Sequence, residues 1–365
     1  MLQVTALHDR AAWNQALRPL PCAHVLQTWE WGEFKRRTTG WRPERFAYRR
    51  GGAIVAAAQV LTRRLGPLRV MYVPKGPALD YTDAGLLAAV LDHLQGLARR
   101  RGALWLKIDP DVVAGRGVPG AEDAHDDPLG QTVMQTLAAR GWRFSHSQVQ
   151  FRNTITIDLT RPAEDILMGM HQSTRRKVRV AEKKGVTVRQ ATPEDIPTLY
   201  DLYRATGERD GFLIRPLDYY REAWEAFMRA GLAHALLAEY QGHPLAHVIL
   251  LHFGPKCWYF YGASSNEERQ RMPNHALQWA AMQWARAQGY ATYDLWGAPD
   301  VFHESDRMWG VYQFKRGFGG TVVRHIGAWD YAPLPPLYRA YEALMPRLLG
   351  WLRRSQTGTP RKEAT

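Results

Sequence analysis

The chain predicts an α/β fold of the α+β kind, made of two similar halves. Each half is a mixed, mostly antiparallel sheet flanked by helices. Three observations carry this expectation. The order hairpin, strand, amphipathic helix, strand occurs twice. The glycines that punctuate it recur at matched spacing, Gly76 and Gly262 lying 186 residues apart and Gly102 and Gly289 187. The length, 365 residues, suits two domains better than one.

The elements follow in order. Phe46 to Leu61 reads as a hairpin turning at Gly51-Gly52, and Leu236 to Leu251 as a hairpin turning at Gln241-Gly-His-Pro244. A further strand then runs to a glycine: Val70 to Gly76 in one half, Cys257 to Gly262 in the other. Amphipathic helices follow over Ala84 to Arg101 and Asn274 to Gln288, stopped by Gly102 and Gly289 as C-terminal caps. Strands Ala103 to Asp109 and Tyr290 to Trp296 close the repeat. This order suits two acyltransferase-type domains of the GNAT class, arising by internal duplication. The first is expected over residues 1–152 and the second over 153–330, opened by the strand Asn153 to Asp158. A helix within about 331–352 is expected to pack back on the first domain. The polar, basic residues 353–365 read as a disordered tail.

Composition narrows the function. Lys and Arg number 48 against 35 Asp and Glu, a net charge of +13, which favours polyanionic partners. Two distant cysteines, Cys22 and Cys257, exclude a disulfide framework and a cysteine metal site. No signal peptide is legible, and the longest apolar run, Ala53 to Leu61, is interrupted by Gln59 and too short to cross a bilayer. A cytoplasmic, soluble protein is expected, with peripheral contact at the inner membrane face as an option. No P-loop, Ser-His-Asp order or metal-spaced cluster stands out, and His303, Glu304 and Asp306 read as a polar loop.

Five constellations carry chemistry. Gly310-Val-Tyr-Gln-Phe314-Lys315-Arg-Gly-Phe318-Gly-Gly320 sets a lysine between aromatics and follows it with glycines. Alone it reads as a strand with an exposed lysine. Late in the second repeat it becomes a lysine held out of water near a reacting acyl group, with Phe314 and Phe318 as desolvating neighbours. Arg175, Arg176, Lys177, Arg179, Lys183 and Lys184 crowd one helix, capped by Ser173 or Thr174 and ended at Gly185, with Glu182 as the sole acid; this favours RNA or phosphate. Lys35, Arg36 and Arg37 follow an aromatic helix start and form a cluster suited to a pyrophosphate. Asp109 and Asp111 at a strand end, and Arg215 with Tyr219 one helical turn apart, read equally as structural groups or ligand contacts. Acyl-CoA enzymes of this fold cradle pyrophosphate on a glycine-rich turn at a helix start. The corresponding Arg269-Gln-Arg-Met-Pro-Asn-His-Ala276 contains no glycine.

The run Arg175 to Gly185, then Tyr261-Gly-Ala-Ser-Ser265, Tyr293-Asp-Leu-Trp-Gly297 and Phe314-Lys-Arg-Gly-Phe-Gly-Gly320, resembles the Fem (FemABX) peptidoglycan-bridge peptidyltransferases. The resemblance spans nearly the whole chain. It implies two GNAT-like domains and transfer of an amino acid from aminoacyl-tRNA to a stem-peptide amine. The acceptor would be a peptidoglycan precursor, UDP-MurNAc-pentapeptide or lipid II. It implies that Lys35 and Arg215 hold precursor phosphate, that Asp109, Tyr219 and Tyr261 make further precursor contacts, and that Lys315, beside Phe314, lies nearest the chemistry. Tyr259 matches locally as well as Tyr261. Some members carry a coiled-coil arm in the second domain; the segment from Gly207 to Leu236 has no room for one. Such a reaction needs no metal or organic cofactor, and the chain is expected to act as a monomer. The competing expectations are an N-acyltransferase using another donor such as acyl-CoA, and a non-catalytic RNA- or membrane-binding protein.

Overall fold

The computed structural model of the chain describes residues 2–344. Two sheets organise it. The first runs, neighbour to neighbour, through Gln3–Ala6, Arg42–Arg50, Ala53–Leu65, Leu68–Val73, Ala103–Ile108, Trp329–Tyr331 and Trp142–Phe144, with Ala78–Leu79 paired on the side. The second runs through Thr187–Ala191, Ala233–Tyr240, His243–Phe253, Lys256–Ser264, Thr292–Asp294, Asn153–Asp158, Thr321–His325, Val113–Arg116 and His125–Asp126. Among the described residues each sheet contains a single parallel pairing, Leu68–Val73 with Ala103–Ile108 and Lys256–Ser264 with Thr292–Asp294.

A parallel pair needs a crossover, and the helices Ala84–Arg100 and Pro273–Ala287 supply it. Leu87, Val90, Leu91, Leu94 and Ala98 recur at helical spacing and are buried, which fixes the first of these on its sheet. The second ends at Gly289, where φ is +81° and the following Tyr290 N–H returns to the Ala285 carbonyl at 3.1 Å. The duplicated order read from the sequence is therefore present, in two GNAT-like sheets.

The chain crosses between the sheets in both directions. Val113–Arg116, from the first half, pairs with Thr321–His325 in the second sheet. Trp329–Tyr331, from the far end, inserts between Ala103–Ile108 and Trp142–Phe144 in the first. A shared core closes the junction: Trp13, Phe34, Trp224, Phe227 and Trp258 are all buried in one cluster. The helix over residues 335–344 starts against the first sheet, where the buried Tyr338 donates from its hydroxyl to Asp330 Oδ2 at 2.8 Å. Its expected continuation to residue 352 and the tail 353–365 lie outside the described residues.

Candidate active-site cleft

Lys315 lies in a helix, Trp309–Arg316, and not in the strand that its short segment alone suggests. It is buried. Its Nζ donates to the Trp296 carbonyl and, at 2.7 Å, to the Gly297 carbonyl. The ring beneath it is Tyr259, 5.6 Å from Nζ to the centroid. Phe314 and Phe318 contact each other at 5.1 Å and His275 at 5.2 and 5.9 Å. Successive helical residues point about 100° apart, so Phe314 faces a different side from Lys315. The aromatic environment expected of Phe314 and Phe318 is thus supplied to the ammonium by Tyr259 and the Trp296 turn. Burial pulls the Lys315 pKa down to about 7, against the opposing pull of Asp294.

That turn is built around Asp294. Its Oδ1 accepts from the Trp296 N–H at 2.8 Å and from the Thr154 hydroxyl. Trp296 sits at φ +48°, a left-handed conformation costly for a large side chain, and it directs consecutive carbonyls at Lys315. The glycines after Lys315 serve close approach. At Gly319, with φ +78°, a Cβ would stand 2.1 Å from the Gly169 carbonyl oxygen.

Four of the expected substrate residues gather at and around Lys35, across a set of aromatic rings from Lys315. Lys35 Nζ donates to the Tyr219 hydroxyl at 2.9 Å and lies 4.5 Å from the Trp31 ring and 4.9 Å from that of Phe34. Burial, with the nearby Arg215 charge, lowers its pKa to about 8. The Arg215 guanidinium covers the Tyr219 ring at 4.7 Å. Tyr261 joins through Tyr220 at 6.1 Å and Trp224 at 5.7 Å. A register shift decides between the two tyrosines: Ile249 pairs with Tyr261 and Leu250 with Tyr259, leaving Phe260 as the bulged residue. The bulge sends Tyr261 toward Lys35 and Tyr259 toward Lys315.

One aromatic wall joins the two ends. Trp296 stacks on Phe260 at 4.9 Å, and Phe260 meets Trp31 at 6.2 Å. Lys75 stands over the other part of Trp296, its Nζ 5.7 Å from the ring. Asp109 lies beneath Lys75 and not among the Lys35 group. It accepts from the Lys75 N–H at 2.5 Å and the Tyr72 hydroxyl at 2.7 Å, so both carboxylate oxygens already have protein donors. Burial raises its pKa to about 6 despite the Lys75 charge. Asp111 bridges the halves, bound to Lys256 at 2.5 Å and His325 at 3.2 Å.

Two expected clusters are divided. Arg36 pairs with Glu33 at 2.7 Å and Arg37 with Glu222 at 2.5 Å, so Lys35 alone of the three turns to Tyr219. The basic helix spans Gln172–Lys183 with His171 at its N-cap and no side-chain cap; Thr174 is instead buried against Gly317. Arg175 donates to the Met168 and Met170 carbonyls, and Lys184 to the Gln270 carbonyl. Arg176, Arg179 and Lys183 form the exposed stripe, and none pairs with a carboxylate among the described residues. The His171 N–H donates to the Gly317 carbonyl at 2.9 Å, which docks this helix beside that of Lys315.

Lys75, Asp294, Trp296 and Phe260 escaped the sequence reading as site residues. The segment Tyr293-Asp-Leu-Trp-Gly297 held the available signal, since an acid and a tryptophan directly follow a strand before a glycine.

A duplicated GNAT-like fold with a buried lysine in its second half defines the class: tandem acyltransferase-type proteins. Comparison with known proteins narrows this. The FemAB family model matches residues 15–241 and 229–345, and the chain belongs to that family. It is 29% identical over 403 aligned positions to the lipid II:glycine glycyltransferase of Staphylococcus aureus strain MRSA252, covering 90% of this chain and 92% of that protein. The crystal structure of FemX superposes with a TM-score of 0.83 at 26% identity, over 93% of this chain and 100% of that one. A tandem GNAT protein from the clavulanic acid biosynthesis pathway shares the fold, with a TM-score of 0.54 at 15% identity, over 92% of this chain and 99% of that one.

Proposed function

We propose that the protein transfers an amino acid from aminoacyl-tRNA to the stem-peptide amine of a peptidoglycan precursor, UDP-MurNAc-pentapeptide or lipid II. The observation that carries this reading is the pairing of two desolvated lysines along one aromatic wall. Lys35, with Arg215, Tyr219 and Tyr261, offers charge and hydroxyls for a phosphorylated precursor. Lys315 waits at the far end, where the stem peptide and the aminoacyl ester meet. Family membership and the names of the relatives support a bridge-forming transfer.

Aminolysis of the ester passes through a tetrahedral oxyanion and expels a ribose alkoxide. An ammonium has three N–H donors. The Trp296 and Gly297 carbonyls take two of the Lys315 donors and orient the third. That third donor serves the oxyanion or the leaving oxygen, in surroundings where charge acts strongly. The acceptor amine gives up its proton to water or to the substrate. Arg176, Arg179 and Lys183, on the helix docked against Gly317, are suited to the tRNA phosphates. The turn before Pro273–Ala287 favours this donor over acyl-CoA: it lacks glycine, and Pro273 removes one of the N–H groups that would hold a pyrophosphate.

The test is mass spectrometry of each precursor incubated with the protein and a pool of charged tRNAs. The expected result is a mass gain of one or more amino acids, abolished by RNase. Transfer that survives RNase and requires acyl-CoA would overturn the donor assignment.

A further inference from the structure

An open groove of about 570 Å³ lies on the first sheet, lined by Arg42, Arg63, Arg64, Arg69 and Arg101. Its one carboxylate, Glu44, is engaged by both terminal nitrogens of Arg101. The other four guanidiniums pair with no carboxylate among the described residues. Their placement is costly without an anion. Arg64 and Arg69 are direct cross-strand partners, where like charges repel. Arg42 is the cross-strand partner of Thr62, which puts it diagonal to Arg64 on the same face.

The hairpin between Arg64 and Arg69 adds a second property. Its tip is Leu65-Gly66-Pro67-Leu68, where Leu65 pairs with Leu68. Gly66 and Pro67 are exposed and the two leucines half-buried. An apolar tip ringed by arginines matches a lipid interface: the tip enters the acyl boundary while the guanidiniums hold phosphate at the headgroup level. The exposed apolar tip favours a lipid surface over a nucleic acid, and the groove lining contains no aromatic on which an unpaired base could stack.

We infer that this groove binds the phosphates of anionic phospholipids and seats the protein on a membrane surface through the Leu65–Leu68 tip. The inference goes beyond the transfer reaction and does not depend on it. The site lies outside the cleft and uses none of its residues.

The experiment is co-sedimentation of the full chain with phosphatidylglycerol–phosphatidylcholine vesicles, compared with phosphatidylcholine alone. Wild type should pellet with the anionic vesicles, less so as salt rises. The triple variant Arg63→Ser/Arg64→Ser/Arg69→Ser should partition about 100-fold more weakly, roughly fivefold for each arginine removed. Arg64→Ser alone should show about a fivefold loss, and Pro67→Asp should weaken binding with every arginine intact. Arg176→Ser/Arg179→Ser should bind vesicles like wild type. Unchanged vesicle binding by the triple variant overturns the inference. So does loss of tRNA affinity with vesicle binding retained, or displacement by inorganic phosphate at matched ionic strength, which would reassign the groove to RNA or to a free phosphate ligand. Transfer to the soluble precursor should stay at the wild-type rate in the triple variant. Its absence in wild type would count against the proposed reaction and leave the groove untouched.

Discussion

The two ends of the cleft each hold a desolvated lysine, and they are desolvated differently. Lys35 sits against ring faces, beside the exposed Arg215, and is itself only partly covered. Rings stabilise a cation without occupying its hydrogen-bond donors fully, so that end can accept a large, multiply charged anion. Lys315 sits against backbone carbonyls that fix its direction, in the dry interior. That end suits one small charge at one place. On the proposed reading, binding and chemistry are separated along the Trp31–Phe260–Trp296 wall, so a change at one end should leave the other's signature intact.

The largest expected effect follows from removing the oriented charge. Lys315→Met should lower kcat by about 10²–10³, as expected when a single oxyanion donor is removed, with little change in the precursor KM. A rate within a few-fold of wild type in single-turnover assays would break the contrast. Lys35→Met and Arg215→Ala should do the reverse, each raising the precursor KM by roughly tenfold to a hundredfold, as expected for a charged hydrogen bond, with kcat nearly kept. Because both would face one phosphate group, the double variant should cost less than the product of the two, readable in a double-mutant cycle.

Protonation sharpens the comparison further. Since the charged form of Lys315 is the stabilising one, kcat should fall as pH rises through about 7, where its proton leaves. Lys315→Arg, which stays charged, should lack that limb even if slower overall. Stability should move the opposite way. The unfolded chain holds the lysine proton to about 10.5 and the folded chain releases it near 7, so between those values unfolding takes up a proton and stability climbs with pH. Denaturant titrations of Lys315→Met should show a flatter profile over that window.

Smaller effects are expected further from the wall. Arg176→Ser/Arg179→Ser should weaken charged-tRNA binding and reduce the slope of log affinity against log salt by about 0.7–0.9 for each phosphate that is no longer neutralised. An unchanged slope would move the RNA surface elsewhere. Asp109→Asn should alter only the acid side. The folded carboxyl, raised to about 6 from an ordinary 3.8, adds stability below the lower value that is lost as pH rises to the upper one. The variant should lack that decline in thermal melts.

The repeat was legible because glycine caps and apolar periods are local signals, as Gly102 and Gly289 show. The membership of each sheet was not: nothing local in Val113–Arg116 or Trp329–Tyr331 says that each pairs across the junction. The same division holds in the site. Lys35, Arg215, Tyr219 and Tyr261 could be named from motif resemblance. That Arg36 and Arg37 turn away, and that Tyr261 rather than Tyr259 joins Lys35, depended on carboxylates and a bulge distant in sequence. The motif resemblance and a position late in the second repeat point to Lys315 as the residue nearest the proposed chemistry, yet its desolvation comes from Trp296, Gly297 and Tyr259, 18 or more residues away.

The strands exchanged at the junction bear on how the protein is made. Trp329–Tyr331 sits between Ala103–Ile108 and Trp142–Phe144, so the first sheet stays in two pieces until residues 329–331 have left the ribosome. Neither half can be completed by its own segment, and assembly must close loops of roughly two hundred residues before the cleft exists. A nascent chain cut before residue 329 would present an open sheet edge, the kind of surface that chaperones and proteases recognise. Quality control would then act on the state that precedes the docking of this one strand.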